Sequence, residues 1–119
     1  MQKVNIAEKF GLFNERWSPK LVGQLDDYEI KLVRIEGDFL WHSHAEEDEL
    51  FLVVEGSFRM DFRDRSVEVQ SGEFLVVPHG VEHKPFAQRE CKIMLFERKG
   101  VPNTGEHVTE RTVRQPERI

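Results

Sequence analysis

The 119-residue sequence predicts an all-β fold, either a sandwich or a barrel, from three observations. From residue 26 onward, hydrophobic and polar residues alternate with a period of two, the spacing that places successive side chains on opposite faces of a strand. The alternating segments are short, and turns that contain glycine separate them. Many short strands in one modest chain are typical of a sandwich or barrel.

We predict a single domain over residues 1–119, because the chain is long enough to bury one hydrophobic core and too short for two. Its barrel core is expected at about residues 26–98. Residues 1–25 are expected to cover the core, and residues 99–119 to form an irregular tail.

The N-terminal segment predicts one short helix. Asn5 and Glu8 have the spacing of a helix N-cap and its capping-box partner, and Gly11 interrupts the pattern. The apolar residues of this segment are available either for packing on the barrel or for contact with a second copy of the chain. They are Phe10, Leu12, Phe13 and Trp17.

The barrel core divides into segments that each predict one strand. These segments are 26–37, 39–44, 49–55, 58–62, 66–70, 74–77 and 91–97. Gly56 and Ser57 suit a two-residue hairpin of type II′ between two of the strands. The nearly continuous apolar run from Phe74 to Val77 indicates a strand that is buried on both faces. Pro78 and Gly80 are spaced for a type I turn over residues 77–80.

Composition and charge exclude several classes of function. The net charge is -5 and no basic face is visible, which disfavours nucleic acid as a partner. No stretch approaches the roughly 18 consecutive apolar residues of a membrane span. The N-terminus lacks the apolar region of a secretory signal, and the single cysteine, Cys91, excludes an internal disulfide. We therefore expect a cytoplasmic protein.

A cluster of potential metal ligands begins at His42 and His44. On an extended strand, two histidines separated by one residue project to the same face, about 7 Å apart. Glu49 would face the other way on an unbroken strand, but a loop or bulge over residues 45–48 can re-aim its carboxylate. His83 follows the predicted turn at Pro78. Each residue alone also fits an ordinary surface position.

Three imidazoles and one carboxylate suit a divalent first-row transition metal, here Fe, Mn, Ni, Zn, Co or Cu. A closed structural zinc site would more often use cysteine, and a single cysteine excludes a thiolate cluster. We therefore expect the set to serve catalysis or ligand binding.

The spacing of these residues with nearby glycines and a proline resembles the two motifs of the cupin superfamily. The matching positions of the first motif are Gly37, His42, His44, Glu49 and Gly56, with the opening gap one residue shorter than usual. Those of the second are Gly72, Pro78, Gly80 and His83, whereas Ala87 replaces the motif's final asparagine. Together the two motifs span roughly half of the chain, and the chain looks most like small single-domain cupins called mannose-6-phosphate isomerase-like.

The resemblance implies a jelly-roll β-barrel, also called a double-stranded β-helix, in which His42, His44, Glu49 and His83 bind one metal ion. It also implies a homodimer, because small cupins are commonly dimers. Phe51 and Val53 share the strand parity of Glu49 and are candidate pocket residues. Phe58, Met60 and Phe86 are further candidates, and Arg34 is a candidate contact for an anionic substrate.

The predicted function is that of a metal-dependent enzyme that acts on a small polar molecule. We place dioxygenase-like chemistry slightly ahead of sugar isomerisation, because the ligand set resembles that of oxygenase cupins and no acid–base pair stands out beyond the ligands. The alternative is a noncatalytic cupin in which the metal anchors a small ligand, because one fold serves many functions.

Overall fold

The computed structural model describes residues 1–105 and 107–119, and it is built mainly from β-strands. The secondary-structure elements are α1 (Ile6–Phe10), β1 (Lys20–Leu25), β2 (Tyr28–Asp38), β3 (Glu49–Glu55), β4 (Ser57–Phe62), β5 (Ser66–Gln70), β6 (Phe74–Val77), β7 (His83–Arg98) and β8 (Glu117–Arg118). The architecture is a jelly-roll barrel, which confirms the predicted fold class. None of the helices in the described part of the chain has the length and apolar character that a membrane span requires.

The long strand β7 organises the barrel. One edge of β7 pairs antiparallel with β2 along most of its length. The other edge pairs with β4 over residues 83–86 and with β3 over residues 92–97. β4 continues to β5, β3 continues to β6, and β2 continues to β1 and β8. Two layers of strands therefore face each other and share β2 and β7.

The main core lies inside the barrel, between the layers. Its side chains alternate along the strands, so residues of one parity point inward. The buried core residues are Val33, Ile35, Phe51, Val53, Phe58, Met60, Val69, Val77, Ala87, Cys91, Ile93 and Leu95. A second cluster lies outside the barrel, where the N-terminal residues Phe10 and Phe13 cover Leu32 of β2.

The predicted N-terminal helix is confirmed, and two of the apolar residues of this segment pack on the barrel. The Asn5 side chain accepts a hydrogen bond of 3.0 Å from the backbone N–H of Glu8, as the capping pattern predicted. Phe10 and Phe13 are buried against their own barrel, so they are not available to a second copy. Leu12 remains exposed.

Two predicted local structures between strands were wrong. β3 and β4 do not form a hairpin, because β3 pairs with β6 and β7 whereas β4 pairs with β5 and β7. Gly56 instead carries the chain between the layers with φ 93°, and a Cβ there would lie 3.2 Å from the backbone oxygen of Glu90. The turn near Pro78 lies one residue later than predicted, since Val81 N–H donates to Pro78 O.

The strand predictions failed where burial depends on distant neighbours. β6 is not buried on both faces, because Phe74 and Val76 share one face of the strand and remain 63% and 44% exposed. Within the described residues β6 pairs only with β3. Residues 39–44, predicted as a strand, form only an isolated β-bridge at His42. The sheet also extends beyond the predicted core, through β1 at one end and β8 at the other.

Candidate metal centre

The four predicted ligands lie at the ends of barrel strands. Glu49 begins β3 and His83 begins β7, whereas His42 and His44 follow the end of β2. The backbones of His42 and His83 hydrogen-bond to each other in both directions, at 3.1 and 2.9 Å. Their rings are consequently neighbours, with centroids 4.2 Å apart. The cluster is therefore assembled by strand pairing between distant parts of the chain.

His44 and Glu49 complete the cluster. The Gly80 N–H donates to the backbone oxygen of His44 at 2.7 Å, and this bond holds His44 against the turn before β7. The irregular residues 45–48 allow Glu49 to face inward, and its Oε1 lies 3.0 Å from His44 Nε2. One potential ligand atom from each of the four residues lies within 4.8 Å of all the others. The group can hold a metal ion.

Hydrogen bonds to backbone carbonyls fix the tautomers of two histidines. The Nδ1–H of His42 donates to Leu40 O at 3.0 Å, and that of His83 donates to Val81 O at 2.9 Å. Because a carbonyl only accepts hydrogen bonds, each ring keeps its proton on Nδ1 and leaves the Nε2 lone pair for a metal. His83 Nε2 has no hydrogen-bond partner among the described residues although it is buried. This unpaired atom fits a metal ligand.

The electrostatics of the site favour the protonation states that a cation requires. Burial, reinforced by the neighbouring His83, lowers the pKa of His42 from 6.5 to about 4. Burial also lowers the pKa of His83. At Glu49, burial opposes ionisation, but the hydrogen bond from His44 and the surrounding imidazoles outweigh it and lower the pKa. The lowered pKa values therefore favour neutral imidazoles at His42 and His83 and a carboxylate at Glu49 at neutral pH.

A buried ion pair adjoins the centre. Lys31 Nζ lies 3.0 Å from Glu97 Oε1, and both side chains are almost inaccessible to solvent. Glu97 is paired in register with Glu49 across β7 and β3. Burial raises the pKa of Glu97 well above its usual value, and the Glu49 carboxylate reinforces the shift. The cupin motifs include neither residue and therefore did not predict this pair.

A family model for the cupin domain matches residues 31–96, which is more than half of the chain and includes all four ligands. The chain is a cupin. Among solved structures, a cupin-2 domain containing protein from Shewanella frigidimarina NCIMB 400 is 50% identical, with a TM-score of 0.79 over 80% of this chain and 93% of that one. Protein NMB1881 from Neisseria meningitidis is 31% identical, with a TM-score of 0.76 over 82% of this chain and 99% of that one.

A further relative is the uncharacterized protein YdbB of Bacillus subtilis (strain 168), which is 33% identical over 64 residues. That similarity covers 53% of this cupin and 57% of YdbB, so the chain matches little more than half of that relative's length. These comparisons show the family and the fold, and none of the three relatives carries a named activity.

A cavity of about 40 Å³ opens beside two of the ligands, His42 and Glu49. Its remaining lining is almost wholly apolar. The other residues of the wall are Trp17, Pro19, Val33, Ile35, Phe39, Phe51, Pro85, Ile93, Leu95 and Asn103. The sequence pattern did not predict Trp17, Pro19 and Asn103 as cavity residues, because they lie outside the barrel core and tertiary packing brings them to it.

The six predicted pocket residues are found in three different environments. Phe51 lines the cavity, and its ring centroid lies 6.0 Å from that of His83. Val53, Phe58 and Met60 are buried in the main core, outside the cavity wall. They are available to support the wall from behind.

The remaining two pocket predictions are corrected by the structure. Phe86 faces outward, because alternate residues of β7 point to opposite faces, and the Arg59 guanidinium lies 4.6 Å from its ring centroid. Arg34 points toward the N-terminal segment, where it pairs with Glu90 at 2.6 Å and donates to the backbone oxygens of Phe10 and Phe13. Arg34 therefore anchors the N-terminal cover.

Proposed function

We propose that His42, His44, Glu49 and His83 bind one divalent first-row transition-metal ion (Fe, Mn, Ni, Zn, Co or Cu) and that this cupin is a metal-dependent enzyme on a small molecule. The observation that carries the proposal is the convergence of four buried ligand atoms, one of which is the unpaired Nε2 of His83. Buried polar atoms in proteins are almost always hydrogen-bonded, so such an atom at the centre of a ligand cluster favours a bound cation.

The cavity beside the ligand cluster favours the binding of a small molecule at the metal site. His42 and Glu49 line the cavity, so a small molecule in it would lie beside two of the ligands. A metal ion held there would supply Lewis-acid or oxygen-activating chemistry. The carbonyls of Leu40 and Val81 orient the His42 and His83 rings, and the apolar wall excludes water from the reacting groups.

The cavity supports dioxygenase-like chemistry ahead of sugar isomerisation. An isomerase that moves a proton needs a positioned general acid or base. Among the described residues, the cavity wall contains no titratable side chain besides the two ligands. Oxygen-dependent chemistry, in which dioxygen is a co-substrate, makes less demand on the wall than proton transfer does. The same lack of an acid–base group also suits the alternative of a noncatalytic cupin in which the metal anchors a ligand.

Elemental analysis of natively purified protein tests the metal site, provided that no nickel-leaching affinity matrix is used. We expect about one metal ion per chain, and the His44→Ala variant should lose it while keeping its circular dichroism spectrum. His107→Ala is a matched control, because this exposed histidine lies in the tail, outside the ligand cluster. Unchanged metal content in His44→Ala would contradict the assignment.

Oxygen uptake tests the reaction class. The protein reconstituted with Fe(II) should consume oxygen in the presence of a suitable small molecule, and the His44→Ala variant should not. An inert zinc ion in the native protein, together with no turnover across a screened set of compounds, would instead support the noncatalytic alternative.

We also propose a cytoplasmic protein that forms a homodimer. The lone cysteine, Cys91, is buried and free, which fits a reducing compartment. Exposed apolar residues on the outer surface, among them Leu12 and Phe74, are available for subunit contact. Light scattering of the purified chain tests the dimer, and a monomeric mass would contradict it.

A further inference from the structure

Trp17 adopts a backbone conformation that is costly for a bulky side chain. Its φ is 60°, in the left-handed region that favours glycine. Two hydrogen bonds hold it there, from its backbone N–H to Arg34 O at 2.8 Å and from its indole N–H to Glu36 O at 3.0 Å. Such strain persists mainly at functional sites, where the surroundings enforce it.

The constrained Trp17 ring forms part of the cavity wall. It stacks on Phe39 with ring centroids 4.8 Å apart and an angle of 17° between the planes. Phe39 in turn makes an edge contact with His42, with centroids 5.3 Å apart and planes at 89°. Aromatic contacts therefore run without a break from Trp17 to a metal ligand. The Arg111 guanidinium lies against both rings, 5.3 Å from the Trp17 centroid and 4.6 Å from that of Phe39.

The cavity offers a ligand almost no hydrogen bonds apart from the metal site. Asn103 is the one polar residue of the described wall besides the two ligands. Its side chain is already engaged, because Nδ2 donates to Arg111 O at 3.0 Å and Oδ1 accepts from Val113 N–H at 2.6 Å. A sugar or a phosphate would leave its solvation shell here without gaining replacement hydrogen bonds, which disfavours its binding.

The size of the cavity sets a second limit. An engineered cavity of about 150 Å³ holds a benzene molecule. The cavity beside His42 has about 40 Å³, so it cannot enclose an aromatic ring while Trp17 keeps its position. A ligand must be small and must place an apolar group against the aromatic wall.

We propose that Trp17 is a specificity-determining residue, and that it restricts the metal centre to small ligands that are apolar apart from their metal-binding oxygen atoms. This inference rests on the proposed metal site, and it replaces the polar substrate expected from the sequence. Trp17 sets the limit because its ring closes the side of the cavity that the N-terminal segment covers.

A series of chelating probes on the cobalt-loaded protein tests the proposal. Acetohydroxamate, benzohydroxamate and malonomonohydroxamate share one metal-binding head and differ in carrying a methyl, a phenyl or a carboxylate substituent. Binding is followed by the visible absorption of cobalt. The wild-type protein should bind acetohydroxamate about tenfold more tightly than either of the other probes, because the wall accepts neither a ring nor a charge.

Substitutions at position 17 should change this preference. Trp17→Gly removes the ring, and glycine adopts the local φ without strain. Benzohydroxamate should then bind to the variant at least about tenfold more tightly than to the wild type, because its phenyl group becomes buried. Trp17→Phe should give an intermediate gain. Phe86→Ala is the matched control, since that ring lies on the outer face of β7, and it should leave the order of the probes unchanged.

The outcomes separate the two proposals. A wild-type protein that takes up no cobalt contradicts the metal site itself. A cobalt-loaded protein that binds benzohydroxamate as tightly as acetohydroxamate, or whose preference survives both substitutions at Trp17, overturns the role of Trp17 and leaves the metal site standing. Circular dichroism and cobalt stoichiometry report whether Trp17→Gly folds, and Trp17→Phe decides the question if it does not.

Discussion

The pH dependence of stability in the metal-free protein provides a direct test of the burial of His42. Burial lowers the pKa of this imidazole from 6.5 in the unfolded chain to about 4 in the folded one. The unfolded state therefore binds the proton first as pH falls. Stability that is present above pH 6.5 should be lost progressively as pH decreases toward 4.

The expected magnitude follows from this difference in pKa. The full shift corresponds to about 3 kcal/mol, at 1.36 kcal/mol for each factor of ten in proton affinity. At about pH 5, where the unfolded imidazole is charged and the folded one is still neutral, the loss should already be about 2 kcal/mol. Working at this pH avoids most of the titration of ordinary carboxylates.

Urea denaturation in the presence of a chelator, at about pH 7.5 and at about pH 5, measures this loss for the wild type and for His42→Gln. We expect the wild type to lose about 2 kcal/mol more than the variant between the two conditions. Glu97 has a raised pKa and should act in the opposite direction, but it is present in both proteins and cancels in the comparison. Parallel losses in the two proteins would refute the reasoning.

Three further predictions concern charge, backbone and metal. Lys31→Met should destabilise the protein by about 3–5 kcal/mol in urea denaturation, because it leaves buried Glu97 without its partner. The double variant Lys31→Met/Glu97→Leu should recover much of that loss. Losses that simply add in the double variant would argue against a buried pair. Gly56→Ala should lower the melting temperature more than Gly72→Ala does. Both glycines have a positive φ, but a Cβ at Gly56 would lie 3.2 Å from a backbone oxygen, whereas a Cβ at Gly72 would meet nothing within 4 Å. Free metal at about 100 times its dissociation constant should stabilise the wild type by about 2.7 kcal/mol in thermal unfolding, and no shift would mean that the native state binds no metal.

Local pattern was sufficient for the parts of the fold whose signal is local. The Phe, Leu and Val content of Glu49–Glu55 and the alternation in Ser66–Gln70 predicted β3 and β5 with the bounds found in the structure. The motif spacing predicted His42, His44 and His83 as neighbours of Glu49, and the structure brings these residues together. Motif spacing succeeds here because the ligands come from strand ends whose order along the chain is set by the barrel.

Features that depend on distant partners could not be obtained in this way. β1 exists because Lys20–Leu25 pairs with β2, and β8 pairs with β1 from the far end of the chain. Phe74 is exposed because, within the described part of the chain, nothing buries the outer face of β6, and the apolar neighbours of Phe74 along the sequence do not reveal this. Trp17 was assigned only to the N-terminal cover, since nothing in its local sequence indicates that its ring reaches the cavity.

The sharing of β7 between the two layers has a consequence for hydrogen exchange. A strand whose amides bond to β2 along one edge and to β3 and β4 along the other cannot open without separating both layers. Its amides should therefore exchange with solvent only through global unfolding, as the most protected group in the chain. Because His83 begins this strand and Glu49 begins a neighbouring one, a bound ion should slow exchange throughout the barrel as well as at the residues that bind it.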